Sequence, residues 1–144
     1  MRRFFFVSGL ITATLFQGIV SAQAQDQPNV DCANAETQTD MTICANKDYE
    51  AADTELNAVY KKAMAAMKNA DKDLGEIDAN YPGAVDALKK AQRAWIDYRD
   101  GQCELAGFEA RGGSLEPMLV SVCLAGLTKK RSEELKGFTE RFGN

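Results

Sequence analysis

The chain of 144 residues carries 17 basic and 21 acidic side chains and no histidine. Such an acidic chain is a poor candidate for binding nucleic acid or anionic lipid, and a better candidate for binding a basic partner. Without histidine it lacks the usual catalytic triads, histidine-ligated zinc and the commonest general base. We therefore predict a protein that is not an enzyme and that needs no metal or cofactor.

Residues 1–24 have the pattern of a secretory signal peptide: a basic start at Arg2 and Arg3, an apolar run, and a small-residue cleavage site that ends at Ala24. No cysteine follows this site directly, and the apolar run lacks a stop-transfer flank. We predict a soluble protein without a membrane anchor, located in the periplasm or secreted. Its remaining 120 residues, with 15 basic and 21 acidic side chains, suit one small domain.

An extended arm, residues 25–38, is predicted to lead into the first helix. Thr37-Gln38-Thr39-Asp40 has the form of a capping box, which places the start of this helix near Thr37 to Asp40, with Thr39 as the competing N-cap. We expect the helix to fade between Asn69 and Gly75. Its apolar residues recur at steps of three or four, a spacing typical of one helix face. These residues are Tyr49, Ala52, Leu56, Val59, Ala63 and Met67.

The second helix is predicted from about Pro82 to Phe108. It contains the single tryptophan, Trp95, which we interpret as a core anchor on an amphipathic helix. Tyr98 is assigned to the same core face. Gly101 interrupts the helix at some energetic cost, which suggests that another backbone approaches closely there. The members of the predicted apolar face are Leu88, Ala91, Trp95, Tyr98 and Leu105.

The third helix is predicted to follow the breaker Arg111-Gly112-Gly113, with Ser114 as its N-cap and its end near Phe142. Its apolar face is predicted to include Leu119, Val122, Cys123, Gly126, Leu127, Leu135, Phe138 and Phe142. The charged residues between them are most simply a solvated face: Lys129, Lys130, Arg131, Glu133 and Glu134.

No segment has the pattern of a strong strand, and the connections between the helices are short. We therefore predict an all-α fold, a small disulfide-linked antiparallel three-helix bundle, formed by a single domain at residues 39–143. Its structural core is predicted to include Leu56, Trp95, Tyr98 and Leu119.

The even number of cysteines in an exported protein indicates two disulfides. Cys103 lies nine residues before Gly112 and Cys123 eleven after it, so an antiparallel hairpin brings the two to the same height. Cys44 is offset from Cys103 along the bundle by about eleven residues, or roughly 16 Å, whereas a disulfide needs Cα atoms within about 7 Å. Cys44 is therefore expected to pair with Cys32.

Two blocks of sequence resemble the lysozyme-inhibitor LprI-like family, also called the DUF1311 family. The first is Asp31-Cys32 followed by Glu36-Thr37-Gln38-Thr39-Asp40-Met41-Thr42-Ile43-Cys44-Ala45 and by Ala52-Asp53-Thr54-Glu55-Leu56-Asn57. The second is Gln92-Arg93-Ala94-Trp95-Ile96-Asp97-Tyr98-Arg99-Asp100 leading to Cys103, then Gly113-Ser114, Cys123 and Leu127-Thr128. The resemblance covers roughly residues 31–138. It implies an exported, helical, disulfide-linked protein, some of whose relatives inhibit lysozyme.

The leading hypothesis is therefore an inhibitor of a lysozyme or other peptidoglycan-cleaving muramidase, either from a host or from the same cell. The connection Gly107 to Glu116 is the best candidate for a loop that occludes the glycan cleft. Arg111 and Ser114 would meet the catalytic carboxylates there, and Glu109 and Glu116 its basic rims. The alternatives are a non-inhibitory periplasmic interaction or scaffold module that binds another envelope protein, and a glycan-active enzyme with two opposed carboxylates.

Overall fold

The computed structural model describes residues 30–142, which form three helices. They are α1 (Gln38–Ile77), α2 (Ala84–Gly107) and α3 (Glu116–Phe142), and a short 3-10 turn, Phe108–Ala110, follows α2 directly. These residues contain no strand, so the predicted all-α class is confirmed over the part of the chain that the structure describes. The predicted signal peptide and most of the predicted arm lie outside it.

The helices run up, down and up, as predicted. Hydrogen bonds from the first residues of α2 to Asp71 near the end of α1 make these two helices antiparallel. The Cys103–Cys123 disulfide does the same for α2 and α3. Helix α3 therefore runs parallel to α1, and the two share the most extensive interface of the bundle.

The start of α1 lies at the position that the capping-box pattern predicted. Thr37 is the N-cap, and its hydroxyl oxygen accepts the backbone N–H of Asp40 at 3.1 Å. The predicted apolar face is largely buried, although Tyr49 is only half-buried. The helix continues past the predicted fade to Ile77. Its buried residues are Ala45, Ala52, Leu56, Val59, Ala63, Ala66 and Met67.

The connection between α1 and α2 is held by one carboxylate. Asp71 accepts the backbone N–H groups of Gly83 and Ala84, both at 2.7 Å, and that of Val85 at 3.0 Å. Because the first N–H groups of a helix have no partner within the helix, a carboxylate at this point satisfies them and favours the positive helix end. These three hydrogen bonds lower the pKa of Asp71 below its ordinary value.

The predicted core is correct at Leu56, which is buried, and wrong at Tyr98, which is 57% exposed. Trp95 packs against the core while half-buried, and Leu119 is also half-buried. Arg99, instead of Tyr98, takes the inward position of this turn. At 100° per residue, Arg99 and Cys103 lie about 40° and 80° from Trp95 in one direction around the helix, whereas Tyr98 lies about 60° from it in the other, which places Tyr98 about 100° from Arg99.

The inward face of α3 differs from the predicted one. Val122, Phe138 and Phe142 are exposed, and Arg131, predicted to be solvated, is buried. Small and polar residues occupy the inward face instead because α3 packs closely along α1, where short side chains let two helices approach. The buried residues of α3 are Ala125, Thr128, Arg131, Ser132 and Leu135.

Candidate functional site

Both disulfides lie at the same end of the bundle. The structure contains the two predicted bonds, Cys32–Cys44 and Cys103–Cys123, with Cα–Cα distances of 5.5 and 5.4 Å. The amide of Gln38 at the start of α1 lies 3.6 Å from the sulfur of Met118 at the start of α3, so the N-terminal disulfide sits beside the α2–α3 connection. We call residues 30–50 and 97–122 the braced end.

The α2–α3 connection, residues 107–116, forms a hairpin tip that is bonded to itself. The Arg111 guanidinium donates to Glu116 at 2.7 Å and stacks over the Phe108 ring, 4.5 Å from its centroid. The other carboxylate oxygen of Glu116 accepts the Gly112 N–H at 2.7 Å. This backbone N–H, followed by the Arg111 side chain, lowers the pKa of Glu116. Gly112 has φ of 78°, a conformation that favours glycine.

The close helix approach lies at Gly107 and not at Gly101, where it was predicted. A Cβ atom at Gly107 would stand 2.7 Å from a methyl carbon of Val120 on α3. A Cβ at Gly101 would meet nothing within 4 Å among the described residues. The disulfide Cys103–Cys123 pulls the two helices together just beyond the tip, so it is the last residue of α2 that must be small.

Ser114 is not the N-cap of α3, contrary to the prediction. The helix begins at Glu116, so Leu115 precedes the first helical residue, and its carbonyl accepts the Leu119 N–H at 3.1 Å. The Glu116 N–H itself bonds to the carbonyl of Gly113 at 3.3 Å. The chain enters the helix through this turn, which leaves Ser114 exposed.

The four residues selected from sequence for partner binding lie together on the tip and divide into two pairs. Arg111 and Glu116 are occupied with each other, and the Glu116 side chain is only 22% exposed. Glu109 and Ser114 are exposed. Leu115, which the sequence had not singled out, is an exposed apolar side chain beside them.

Charge is distributed unevenly along the bundle. The braced end carries ten carboxylates against three basic side chains, which are Lys47, Arg99 and Arg111. The rest of the described chain carries ten carboxylates and twelve basic side chains. The acidity of the protein is therefore concentrated at the end that bears the tip and both disulfides.

A cluster of cations and rings joins all three helices below the tip. The Arg99 guanidinium lies over Trp95 of its own helix and over Tyr49 of α1, and it pairs with Asp53 at 3.6 Å and Asp100 at 2.8 Å. From α3, Arg131 lies over the same tryptophan, 5.9 Å from the ring centroid. Asp97, one turn before Asp100 on the same helix, is exposed and lies outside this cluster.

No helix among residues 30–142 is long and apolar enough to cross a membrane. The same residues bring together no group of three or more aspartate, glutamate, histidine or cysteine side chains that could hold a metal ion.

Comparison with known proteins gives a consistent family. A protein of Rhizobium meliloti (strain 1021), described as uncharacterized, is 65% identical over 123 residues, covering 85% of this chain and 88% of its own. The uncharacterized protein YecT of Escherichia coli (strain K12) is 30% identical over 104 residues, covering 61% of this chain and 63% of its own. No solved structure gives a significant match. The family model described as "Lysozyme inhibitor LprI" matches residues 31–135, so the chain belongs to the LprI family.

Proposed function

We propose that this protein is a periplasmic inhibitor of a lysozyme-type muramidase and that it acts by protein–protein contact, with no catalytic step of its own. The observation that carries this proposal is the family match, which spans residues 31–135 and so includes both disulfides, the hairpin tip and the arginine cluster. The muramidase belongs either to a host or to the same cell.

The tip is the part of the surface best suited to enter a glycan cleft. It projects where α2 turns into α3, and its exposed residues Glu109, Ser114 and Leu115 offer a carboxylate, a hydroxyl and an apolar side chain. Arg111 and Glu116 hold the turn in shape through their ion pair, so we assign them a bracing role in place of the contact role expected from sequence. A loop fixed before binding loses less conformational entropy on association.

Electrostatics favours the same end. Muramidases that are basic proteins would be attracted to the excess of carboxylates at the braced end, and such steering raises the association rate of oppositely charged partners. A basic rim around the cleft would meet Glu109 once the tip is inserted. The inhibition constant should therefore weaken as the salt concentration rises, because salt screens exposed charges.

The direct test is the initial rate of cell-wall hydrolysis by c-type lysozymes and by the producing cell's own muramidases, measured with increasing amounts of the oxidised protein. We expect inhibition at micromolar concentrations of at least one of these enzymes. If micromolar excess inhibits none of them, the proposal is wrong, and a non-inhibitory envelope interaction module becomes the better interpretation.

A matched pair of double variants locates the contact. Glu109→Lys with Leu115→Ala changes one charge and one apolar side chain on the tip, and we expect it to weaken inhibition by about tenfold or more. Glu76→Lys with Ile77→Ala makes the same kind of change at the opposite end of the bundle, where both residues are exposed. Equal inhibition by the two double variants would contradict the assignment of the tip.

A further inference from the structure

Helix α2 and the first residue of the turn after it present an apolar face that the other helices leave largely exposed, and only Ala84, at its start, packs against the core. Its members follow one another at alternating steps of three and four residues, the spacing of the seam between two paired helices. Most are exposed, and Leu105, Tyr98 and Phe108 are 63%, 57% and 51% exposed. We call this surface the α2 seam. It consists of Ala84, Ala87, Ala91, Ala94, Tyr98, Gly101, Leu105 and Phe108.

We propose that the α2 seam pairs with the α2 seam of a second copy of this chain, in an antiparallel twofold dimer. The seam is divided by size: its first four members are alanines, and its last four include all three large side chains. Only an antiparallel partner places the half of the seam with large side chains opposite the alanine half of the other copy. With the twofold axis level with residue 96, Tyr98 lies opposite the partner's Ala94 and Leu105 opposite the partner's Ala87.

The surface next to the alanine half has room for the large side chains. Ala84, Ala87 and Ala91 form one wall of an apolar cleft of about 350 Å³ between α2 and the end of α3. The other lining residues include Met67, Leu88, Phe138 and Phe142. The same register directs Phe108 and Leu105 of each chain towards this cleft in the other. Because a twofold interface is self-complementary, both clefts are filled at once.

Gly101, the seam residue without a side chain, also agrees with this pairing. Gly101 lies opposite the partner's Ala91, and a Cβ at Gly101 would meet nothing within 4 Å among residues 30–142 of its own chain. A glycine facing an alanine lets two helices approach closely at that point. The exposed glycine, which has no packing role within the bundle, thereby acquires one between two copies.

Charges beside the seam select the antiparallel orientation. Lys90, Asp97 and Glu104 are exposed and lie along one edge of the seam at intervals of seven residues. With the axis level with residue 96, Lys90 of each chain is offset from the partner's Glu104 by two residues, about 3 Å along the helix, which the two long side chains can span to give two ion pairs. Asp97 lies near the partner's Asp97 at the axis, where the like charges oppose pairing. In parallel helices this edge would face uncharged side chains, among them Trp95 and Gln102.

Sedimentation velocity over a range of concentrations tests the dimer by measuring the mass of the protein in solution. The sample is the full chain as the expressing bacterium processes it, with both disulfides oxidised. We expect a reversible monomer–dimer equilibrium. Leu105→Asp places a charge in the seam at an exposed position, so the fold should survive and the dimer should be lost. A protein that stays monomeric up to about millimolar concentration would overturn the proposal, because its dimer would then dissociate with a constant weaker than about 1 mM.

A charge exchange tests the register. Lys90→Glu and Glu104→Lys should each weaken dimerisation about tenfold, because each change replaces two attractive pairs by two repulsive ones. The double variant should restore the wild-type dissociation constant. Asp97→Asn should strengthen the dimer, and Lys62→Glu, an exposed change on α1, should leave it unaltered. Failure of the double variant to recover would exclude this register.

The dimer proposal and the inhibition proposal can be disproved independently of each other. Leu105→Asp removes the dimer and leaves Glu109, Ser114 and Leu115 on the tip unchanged, so the monomeric variant should still inhibit a muramidase that the wild type inhibits. A protein that dimerises and inhibits no muramidase would leave this inference standing alone.

Discussion

Arg99 lies with its guanidinium over the indole of Trp95, its Cζ atom 5.2 Å from the ring centroid. The same guanidinium lies 5.5 Å from the Tyr49 ring of α1. One buried cation therefore contacts rings of two helices while its charge is balanced by Asp53 and Asp100 at the edge of the cluster. This contact fixes how α2 is rotated against α1, which in turn decides that Tyr98 faces outwards.

Replacing Arg99 by alanine should lower the free energy of unfolding by about 2–3 kcal/mol, because the change removes two cation–ring contacts and buried packing. Arg99→Lys should lower the free energy of unfolding by less than Arg99→Ala does, but should not retain wild-type stability, since an ammonium lacks the flat surface that stacks on a ring. Urea denaturation followed by the fluorescence of the single tryptophan measures both. Arg93→Ala, an exposed change on the same helix, should stay within about 0.5 kcal/mol of wild type; an equal loss there would contradict the assignment.

Replacing Asp71 by asparagine should lower the melting temperature by about 5 °C at neutral pH, because the cap of α2 loses its charge. The pKa of this carboxyl is lowered in the folded state from its ordinary value of 3.8. Its contribution is therefore fully present above that value and is lost as the pH falls through the lower folded pKa.

The difference in melting temperature between wild type and Asp71→Asn should accordingly be constant above about pH 5 and shrink below about pH 4. Circular dichroism of the helices across this range provides the measurement. Asp73→Asn, an exposed change two residues away, is the control. A gap of the same size at pH 2 and pH 7 would show that Asp71 does not act through its charge.

Two glycine-to-alanine changes should shift the free energy of unfolding in opposite directions. Gly107→Ala puts a carbon 2.7 Å from a Val120 methyl and should destabilise the protein by about 1–3 kcal/mol through overpacking. Gly126→Ala, within α3 and with no described residue within 4 Å of its new carbon, should stabilise it by about 0.5–1 kcal/mol. Urea unfolding of both variants checks the pair, and stabilisation by Gly107→Ala would disprove the close approach of the two helices there.

The two disulfides should contribute unequally. Their sequence separations, 12 and 20 residues, give similar loop-closure terms. Cys103, however, is completely buried, whereas Cys32 is exposed. Replacing Cys103 and Cys123 by serine should therefore lower the free energy of unfolding by about 4 kcal/mol, because a hydroxyl is left in the interior. Replacing Cys32 and Cys44 by serine should lower it by about 2 kcal/mol. Thermal unfolding of the two double variants should show this order, and the reverse order would refute it.

Local signals in the sequence were enough for the helices and for the cysteine pairing. The capping box at Thr37 and the periodicity of α1 are properties of neighbouring residues, so the helix start and the buried stripe followed directly. The pairing of Cys103 with Cys123 needed only the rise per residue and the position of the turn. The turn between α2 and α3 likewise brings together the tip residues, because they are close in sequence: Glu109, Arg111, Ser114 and Glu116.

Only the tertiary structure decided which face of each helix turns inwards. An amphipathic pattern assumes that charged residues face water, yet Arg99 and Arg131 are buried because rings and carboxylates on other helices receive them. The outward position of Tyr98, the exposed α2 seam and the close approach at Gly107 all depend on how the helices rotate against one another. Those rotations are set by contacts between residues far apart in the chain, about which the spacing along one helix carries no information.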